Sequence, residues 1–253
     1  MPSHQPNPPR IYIVGTNTAI GKTTFACELL RAANRQGLHF LPVKPAQSGA
    51  LGETSDIQRL CAATTLDSDP NEHCFFDYHQ PLAPGIAHNL QDFLGPLPSP
   101  PIQQQILQQF TCRLKDLETS INPHLTLIEG AGGLHVPMPG GTWQSTWIQT
   151  SQAQALIIAH SGLGTINHSL LTINALRTHS IPIFGLFLCD HPSTEPLTRQ
   201  TNLEIIERFG KVPVFGCLPS FATQNPPDDW ISPLFWTNIR SLLSYTKRRE
   251  DSM

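Results

Sequence analysis

One glycine-containing loop near the start of the chain constrains the fold more than any other feature. Its sequence, GTNTAIGKT, covers residues 15–23 and lies between a short apolar run at residues 11–14 and a helix-forming stretch at residues 23–35. In a strand–loop–helix unit, loop N–H groups and the helix N-terminus surround a phosphate group, a lysine neutralises its charge and a threonine hydroxyl binds magnesium. The segment therefore predicts a phosphate-binding loop after the first strand.

The glycine spacing of this loop departs from the common pattern by one residue, because Thr16 stands where a glycine is usual and Gly15 precedes it. An ordinary glycine turn that opens a helix would also fit. The position between a strand and a helix favours phosphate binding. The residues expected to contact a nucleotide here are Asn17, Thr18, Ala19, Ile20, Gly21, Lys22 and Thr23.

The rest of the chain alternates strand-like and helix-like segments. Apolar runs occur at residues 38–43, 125–128, 155–159, 183–188 and 212–215, and helical patterns at residues 102–118, 167–178 and 197–209. This alternation predicts an α/β fold with a doubly wound, mostly parallel sheet and helices on both faces, of P-loop NTPase type.

The chain reads as a single domain over residues 11–253, with a loop-rich segment at residues 64–84 and one helix within residues 226–249. Residues 1–10 are rich in proline and lack the apolar segment of a signal peptide, so we expect a flexible leader.

Composition narrows the class of partner and the location. The formal net charge is -3, and Lys and Arg form a run only at residues 247–249, so we expect no nucleic-acid partner. No apolar stretch approaches the roughly 20 residues of a membrane helix, so no membrane association is expected. The six cysteines contain no CxxC pair. Scattered cysteines of this kind favour free thiols in a reducing compartment, and we expect a cytoplasmic protein.

Three charged residues near strand ends are expected at the same edge of the sheet as the glycine loop. Lys44 lies within KPAQSG, Asp56 follows shortly after it, and Glu129 comes directly before the glycine run at residues 130–133. Two carboxylates at this edge suit magnesium, and a second lysine would stabilise a transferring phosphoryl group. The alternatives are a solvated lysine and, for Asp56 taken alone, a helix N-cap.

A second glycine segment, GLGTINH at residues 162–168, lies between a strand-like run and a helical pattern. Its N–H groups offer an anion site suited to a carboxylate, although a capped helix with Thr165 or Asn167 as the N-cap fits equally well. We expect His168 to pack or to cap rather than to bind a metal. The cluster of His, Cys and Asp at residues 73–79 does not have the spacing of a zinc site.

Four segments in this order, GTNTAIGKT, KPAQSG, EGAGGLHVP and GLGTINH, resemble the signature set of the dethiobiotin synthetase family. The similarity runs from residue 11 to about residue 219 and includes PLAPGIA at residues 81–87 and VPVFGCLP at residues 212–219. The resemblance implies a homodimer that converts 7,8-diaminononanoate, CO2 or bicarbonate and ATP into dethiobiotin, ADP and phosphate, with Mg2+ as the cofactor.

The resemblance also implies a role for individual residues. The residues implied in catalysis are Lys44, Lys22 and Thr18. The implied magnesium ligands are Thr23, Asp56 and Glu129. The nucleotide site is completed by Cys189, Gly216 and Pro219. Ser48 is implied to hydrogen-bond the substrate, whose carboxylate is received across the dimer interface by the backbone around Gly164, Thr165, Ile166 and Asn167.

Three positions depart from the family's pattern. Asn17 stands where the family usually has Asp, Ala19 where some members have Glu, and Cys189 where an Asn commonly reads the adenine edge. A thiol cannot supply the paired donor and acceptor of an amide. Base selectivity is therefore open: the protein accepts other nucleoside triphosphates, or backbone groups near Gly216 to Pro219 recognise the base.

Two other functions are compatible with parts of this pattern. An amide-forming synthetase of the cobyrinic acid type needs a glutaminase domain, and the segment after residue 219 is too short for one. A regulatory module that binds a nucleotide without turnover would show changes such as Asn17 and Cys189. The presence of Lys22, Lys44 and Glu129 favours the enzyme, because drift without function would erode lysines and acids as well.

Overall fold

The computed structural model describes residues 7–49, 55–220 and 228–250. Seven strands of this part form one sheet in the order β3-β2-β4-β1-β7-β8-β9, and every neighbouring pair is parallel. The other two, β5 and β6, form a small antiparallel pair. The strands are β1 (Arg10–Gly15), β2 (Phe40–Ser48), β3 (Cys74–Tyr78), β4 (Leu125–Gly133), β5 (Pro137–Met138), β6 (Thr142–Trp143), β7 (Gln154–His160), β8 (Ile183–Cys189) and β9 (Val214–Leu218).

Helices connect these strands and cover the sheet. In the described part of the chain they are α1 (Lys22–Arg35), α2 (Asp56–Ala62), α3 (Pro84–His88), α4 (Gln91–Leu94), α5 (Pro100–Ile121), α6 (Gln144–Ser151), α7 (Thr165–Thr178), α8 (Pro196–Gly210) and α9 (Pro233–Glu250). Short 3-10 helices lie at Pro70–His73 and Asp228–Trp230. None of the described helices combines the length and the apolar character needed to cross a membrane.

The core has two halves because side chains alternate between the two faces of each strand. In β1, Ile11 and Ile13 face a cluster that includes residues of α1, α2 and α9. Tyr12 and Val14 face the opposite cluster, which includes residues of α5, α6, α7 and α8. A parallel sheet covered in this way is buried on both faces, which explains why its strands read as apolar runs in the sequence. The predicted fold class is confirmed.

Several boundaries differ from the sequence-based expectation. Segment 64–84, expected to be loop-rich, contains the edge strand β3, which pairs with β2 from Lys44 to Ser48. Strand β2 therefore continues through Lys44 instead of ending there. Residues 1–6 of the expected leader lie outside the described residues, and its last residue, Arg10, opens β1. The run expected at residues 212–215 begins as a strand at Val214.

Arg10 is drawn into the sheet by a partly buried ion pair with α5. Its guanidinium donates to both carboxylate oxygens of Glu118, at 2.7 and 2.5 Å, and to the carbonyl of Ser151 at 2.9 Å. The Thr126 hydroxyl donates to the same carboxylate at 2.7 Å. Glu118 thus accepts two hydrogen bonds from Arg10 and one from the buried Thr126, and ties α5 to β1 and β4.

We expect Glu118→Ala to lower the free energy of unfolding by about 3 kcal/mol or more, because Arg10 would be left without its counter-ion and Thr126 without its acceptor. Urea unfolding followed by circular dichroism measures this change. Glu28→Ala is the matched control, since it breaks the more exposed pair with Arg31 and should cost less than about 0.5 kcal/mol. Equal losses in the two variants would contradict the assigned role of Glu118.

Candidate active site

The glycine loop connects β1 to α1 at the carboxyl edge of the sheet. Ala19 has a left-handed backbone with φ of 57°, which is uncommon for a residue with a side chain. A Cβ atom at Gly15 would lie 2.6 Å from the carbonyl oxygen of Asn17 and 2.8 Å from that of Gly132. Only glycine therefore lets the loop approach the end of β4 this closely.

Lys22, the first residue of α1, points back into this loop. Its ammonium donates to the carbonyl of Asn17 at 3.1 Å, and the residue is buried. Burial lowers the pKa of Lys22 to about 8, although the carboxylate of Glu129 opposes the shift. An anion beside Lys22 would favour its charged form, because an opposite charge within a few ångströms stabilises the ammonium.

Lys44 lies at the centre of a charged cluster with Glu129, Asp56 and Thr23. Its ammonium is 2.7 Å from Glu129 Oε1 and 2.8 Å from Asp56 Oδ2. The Thr23 hydroxyl is 2.7 Å from Glu129 Oε1 and 3.0 Å from Asp56 Oδ1, so it can donate to either carboxylate. Four residues from β2, β4, α1 and α2 therefore meet at one point beside the glycine loop.

Charge pairing outweighs burial in this cluster. Burial alone would lower the pKa of Lys44, but the carboxylates of Glu129 and Asp56 raise it to about 12. Burial alone would raise the pKa of Asp56, but Lys44 holds it below its ordinary value. Lys44 is therefore charged and Asp56 ionised at neutral pH. The two alternatives considered from the sequence, a solvated lysine and Asp56 as an N-cap, do not hold, because Lys44 is buried within β2 and Ser55 is the N-cap of α2.

The donor set fits magnesium. Thr23, Asp56 and Glu129 converge with oxygen atoms, and Glu129 Oε2 is buried with no hydrogen-bond partner among the described residues. The described part of the chain contains no group of three or more His, Cys, Asp or Glu side chains placed to hold a metal. Two carboxylates and a hydroxyl instead match the way magnesium binds, with its remaining positions taken by phosphate oxygens and water.

Two adjoining cavities surround the cluster. A cleft of about 500 Å³ is lined by the glycine loop, Lys44, Asp56, Glu129 and residues after β7 and β8. A second cavity of about 410 Å³, here called the alcove, is mostly apolar and is lined by residues that include Leu82 and Val136. The residues common to both cavities are Thr18, Ser48, Ala131 and Gly132. The Ser48 hydroxyl donates to the carbonyl of Leu82 at 2.5 Å.

The cleft is also lined by residues at the carboxyl ends of β7 and β8. Cys189 is buried there, with its sulfur 4.0 Å from the carbonyl oxygen of Gly21, and burial raises the pKa of its thiol. His160 and His191 also line the cleft, with ring centroids 5.1 Å apart. Burial and the neighbouring His191 lower the pKa of His160. Sequence reasoning missed both histidines, although their positions after buried strands were an available signal.

Gly216 and Pro219, two residues expected at the nucleotide, are not among those that line the cleft. A Cβ atom at Gly216 would lie 2.1 Å from the carbonyl oxygen of Trp230, so this glycine lets the segment before α9 cross β9. Within one chain, the structure brings neither residue to the cluster around Lys44.

The segment at residues 164–167 also lies outside both cavities of the single chain. Gly164 occupies the N-cap position of α7 without a side-chain cap, so neither Thr165 nor Asn167 is the N-cap. Thr165 is buried with no partner for its hydroxyl within the described residues. His168 is exposed, contrary to the expectation of packing.

In the segment of residues 73–79, which contains His, Cys and Asp, the first residue, His73, packs in the protein interior. His73 is fully buried, and its ring nitrogens lie 2.8 Å from the carbonyl of Pro42 and 2.8 Å from the Ser68 hydroxyl. All six cysteines of the chain are free.

Comparisons with known proteins give a consistent picture. A family profile described as "AAA domain" matches residues 9–228. The chain is 33% identical over 210 residues to "ATP-dependent dethiobiotin synthetase BioD" of Anaeromyxobacter sp. (strain Fw109-5), which covers 81% of this chain and 87% of that protein. It is 30% identical over 213 residues to the protein of the same name from Bacillus cereus (strain ATCC 14579), covering 83% of each.

A solved structure shares the fold. A chain of the MinC:MinD cell division protein complex of Aquifex aeolicus aligns with a TM-score of 0.50 and 14% sequence identity over 95% of both chains. At this identity the likeness shows the architecture alone.

We expect Lys44→Met to lower the free energy of unfolding by about 3 kcal/mol at pH 7, because Glu129 would stay buried without its counter-ion. Pairing with Lys44 lowers the pKa of Asp56, so this stabilisation is present above the ordinary Asp value of 3.8 and is lost as the pH falls through the lowered value. The difference in free energy of unfolding between wild type and variant should therefore become smaller at acidic pH.

Urea titrations at pH 7 and at an acidic pH below the lowered Asp56 pKa measure this difference in unfolding free energy. Lys115→Met on the exposed face of α5 is the control that should leave stability unchanged. An equal difference in unfolding free energy at both pH values would contradict the pairing of Lys44 with Asp56.

Proposed function

The chain belongs to the family of ATP-dependent dethiobiotin synthetases, and we propose that it is itself an ATP-dependent ligase of biotin biosynthesis that forms dethiobiotin from 7,8-diaminononanoate and CO2. The two relatives of this name align with it over more than four fifths of both chains. The observation that most favours turnover over mere nucleotide binding is the second buried lysine. Lys44 lies beside the two carboxylates and borders the same cleft as the glycine loop.

The proposed reaction has three steps that balance without a redox partner. One amine of the substrate adds to CO2 and loses a proton, which gives a carbamate. A carbamate oxygen attacks the γ-phosphorus of ATP, and ADP leaves. The second amine attacks the carbonyl carbon of the resulting carbamic-phosphoric anhydride, phosphate leaves with the former carbamate oxygen, and a proton is lost as the ureido ring closes. Ring closure is intramolecular, so orientation supplies much of the rate.

The charges of the site suit this chemistry. Loop N–H groups and Lys22 are proposed to hold the triphosphate, and an anion next to Lys22 would offset the burial that lowers its pKa to about 8. Lys44, whose pKa is raised to about 12, is charged and is proposed to stabilise the carbamate and the transferring phosphoryl group. Thr18 borders both cavities and is proposed to lie next to the reacting carbamate.

Magnesium is proposed to bind to Thr23, Asp56 and Glu129, where it would neutralise charge on the phosphate oxygens of the nucleotide. Lys44 and the Thr23 hydroxyl contact Glu129 Oε1 and the two oxygens of Asp56. A site of lysines, hydroxyls, amides and a divalent cation has no need of a general base with an unusual pKa.

The alcove is proposed to take the hydrocarbon part of the diamine. It joins the cleft through Thr18, Ser48, Ala131 and Gly132, and its wall is mostly apolar. Ser48 is proposed to hydrogen-bond the substrate. The residues around Gly164 to Asn167 lie outside both cavities of one chain. We therefore propose that the protein is a cytoplasmic homodimer in which these residues bind the carboxylate of the substrate held in the active site of the other copy.

A regulatory module that binds nucleotide without turnover is the second candidate. The thiol of Cys189 at the cleft favours it, because a buried neutral thiol is a weak partner for a base edge. The intact cluster of Lys44, Asp56, Glu129 and Thr23 argues against it, since binding alone would not need a buried lysine between two carboxylates.

We expect phosphate release from MgATP to depend on 7,8-diaminononanoate in bicarbonate buffer, with dethiobiotin detected by mass spectrometry in equal amount. GTP and CTP should support turnover within about tenfold of ATP, because Cys189 offers no paired donor and acceptor for adenine. Slow phosphate release that ignores the diamine, without product, would favour the regulatory module. A strict preference for ATP would show that groups of the cleft other than Cys189 recognise the adenine base.

We expect Lys44→Met to reduce kcat by about 100-fold or more while the Kd for ADP changes less than about threefold, since its proposed partner is the transferring group. Single-turnover kinetics and calorimetry at low temperature, where the variant is folded, separate the two quantities. Lys115→Met should match wild type in both. Equal losses of binding and turnover would assign Lys44 a plain binding role.

A further inference from the structure

A buried glutamine at the start of α6 contacts the glycine run that follows Glu129. Gln144 is fully buried. Its Oε1 accepts a hydrogen bond from the Ala131 N–H at 2.6 Å, and its Nε2 donates to the carbonyl of Gly133 at 2.9 Å. A single side-chain amide thus satisfies a donor and an acceptor of the same short backbone segment.

The segment needs these partners because it leaves the parallel ladder. Ile13 of β1 lies opposite Glu129 of β4, and Gly15 lies opposite Gly133. Over this interval β1 advances by two residues while β4 advances by four, so residues 130–132 form a bulge with no register partner. A bulge leaves backbone groups unpaired, and buried backbone groups without partners are costly. Gln144 supplies what the neighbouring strand does not.

Packing shows how closely the bulge is seated on this side chain. A Cβ atom at Gly130 would lie 2.5 Å from Gln144 Oε1 and 2.6 Å from Cε1 of Tyr12, so only glycine fits between them. The backbone of Gln144 is itself held, since its N–H donates to the carbonyl of Val136 at 3.0 Å. The glutamine is therefore a fixed support rather than a mobile surface group.

The bulge carries the parts of the site that must be placed accurately. Glu129 directly precedes it and pairs with Lys44, whose ammonium also lies 3.5 Å from the carbonyl of Gly130. Ala131 and Gly132 form the wall that the cleft and the alcove share. A Cβ atom at Gly132 would lie 3.1 Å from the Thr18 hydroxyl, which shows how near the bulge comes to the glycine loop.

We propose that Gln144 is a positioning residue that fixes the bulge at residues 130–132, and with it the carboxylate of Glu129 and the wall between nucleotide and acceptor. The expected loss of kcat rests on the proposed function, whereas the expected role of Gln144 in holding the bulge rests on geometry alone. Gln144 lines neither cavity and acts through the backbone of Ala131 and Gly133.

The test compares wild type with Gln144→Met, which keeps the length and apolar volume of the side chain and removes both hydrogen bonds. We expect kcat to fall by about tenfold or more, because a small displacement of reacting groups is costly. The Kd for ADP, measured without magnesium, should change less than about twofold, because Gln144 is hydrogen-bonded to the bulge and not to the glycine loop. Hydrogen–deuterium exchange of the apo protein should show faster exchange at the Ala131 amide by about tenfold or more.

Thr142→Val is the matched control. Thr142 is buried on the same segment and accepts a hydrogen bond from Trp147 Nε1 at 2.8 Å, but it makes no hydrogen bond to the bulge. The control should lower the melting temperature without changing the Ala131 exchange or the ratio of kcat to ADP affinity. Gln144→Asn is a second variant for the case that Gln144→Met fails to fold. It keeps a polar amide, but its side chain is too short to reach both backbone groups, so it should give the same changes in kcat and in Ala131 exchange.

Unchanged kcat and unchanged Ala131 exchange in the Gln144 variants would overturn the proposal, as would an equal change of both in Thr142→Val. Failure of the proposed function gives a different result, namely no diamine-dependent phosphate release by the wild-type protein. In that case the exchange measurement still decides whether Gln144 holds the bulge.

Discussion

The ion pair between Lys44 and Glu129 is the contact on which the arrangement of the site depends. Both side chains are almost fully buried, and a buried charge is tolerated only when it is paired. The 2.7 Å contact fixes β2 against β4 at the carboxyl edge of the sheet, and Thr23 and Asp56 complete the cluster from two helices. The glycine loop and this charged cluster therefore line the same cleft.

Most of the fold could be predicted from the sequence for a simple physical reason. Strands of a parallel sheet that is covered on both faces are mostly apolar, so β4, β7 and β8 each contain a short apolar run that can be read from the sequence. Strand β3 could not be predicted in the same way, because it is a short edge strand that contains Asp77 and lies within a polar segment.

The site was predictable only in part. In the sequence, Glu129 comes directly after the apolar run at residues 125–128 and Asp56 comes after β2, and those positions indicate the carboxyl edge of the sheet. The burial of Lys44 within β2 could not be inferred, because its cost is met by two acids that are distant in sequence. Gln144 and His160 were missed for a related reason: their roles depend on the backbone bulge after Glu129 and on the ends of two separate strands. The assigned roles of the site residues remain predictions.

The central claim is that a carbamate oxygen attacks ATP in the cleft around Lys44, and one isotope measurement tests it most directly. The protein would be given C18O2, freshly dissolved in ordinary water, with the diamine and MgATP, and the released phosphate would be analysed by mass spectrometry at short times. One 18O atom is expected in the phosphate for each dethiobiotin formed, because the carbamate oxygen leaves with the phosphoryl group. Unlabelled phosphate released together with dethiobiotin would contradict it.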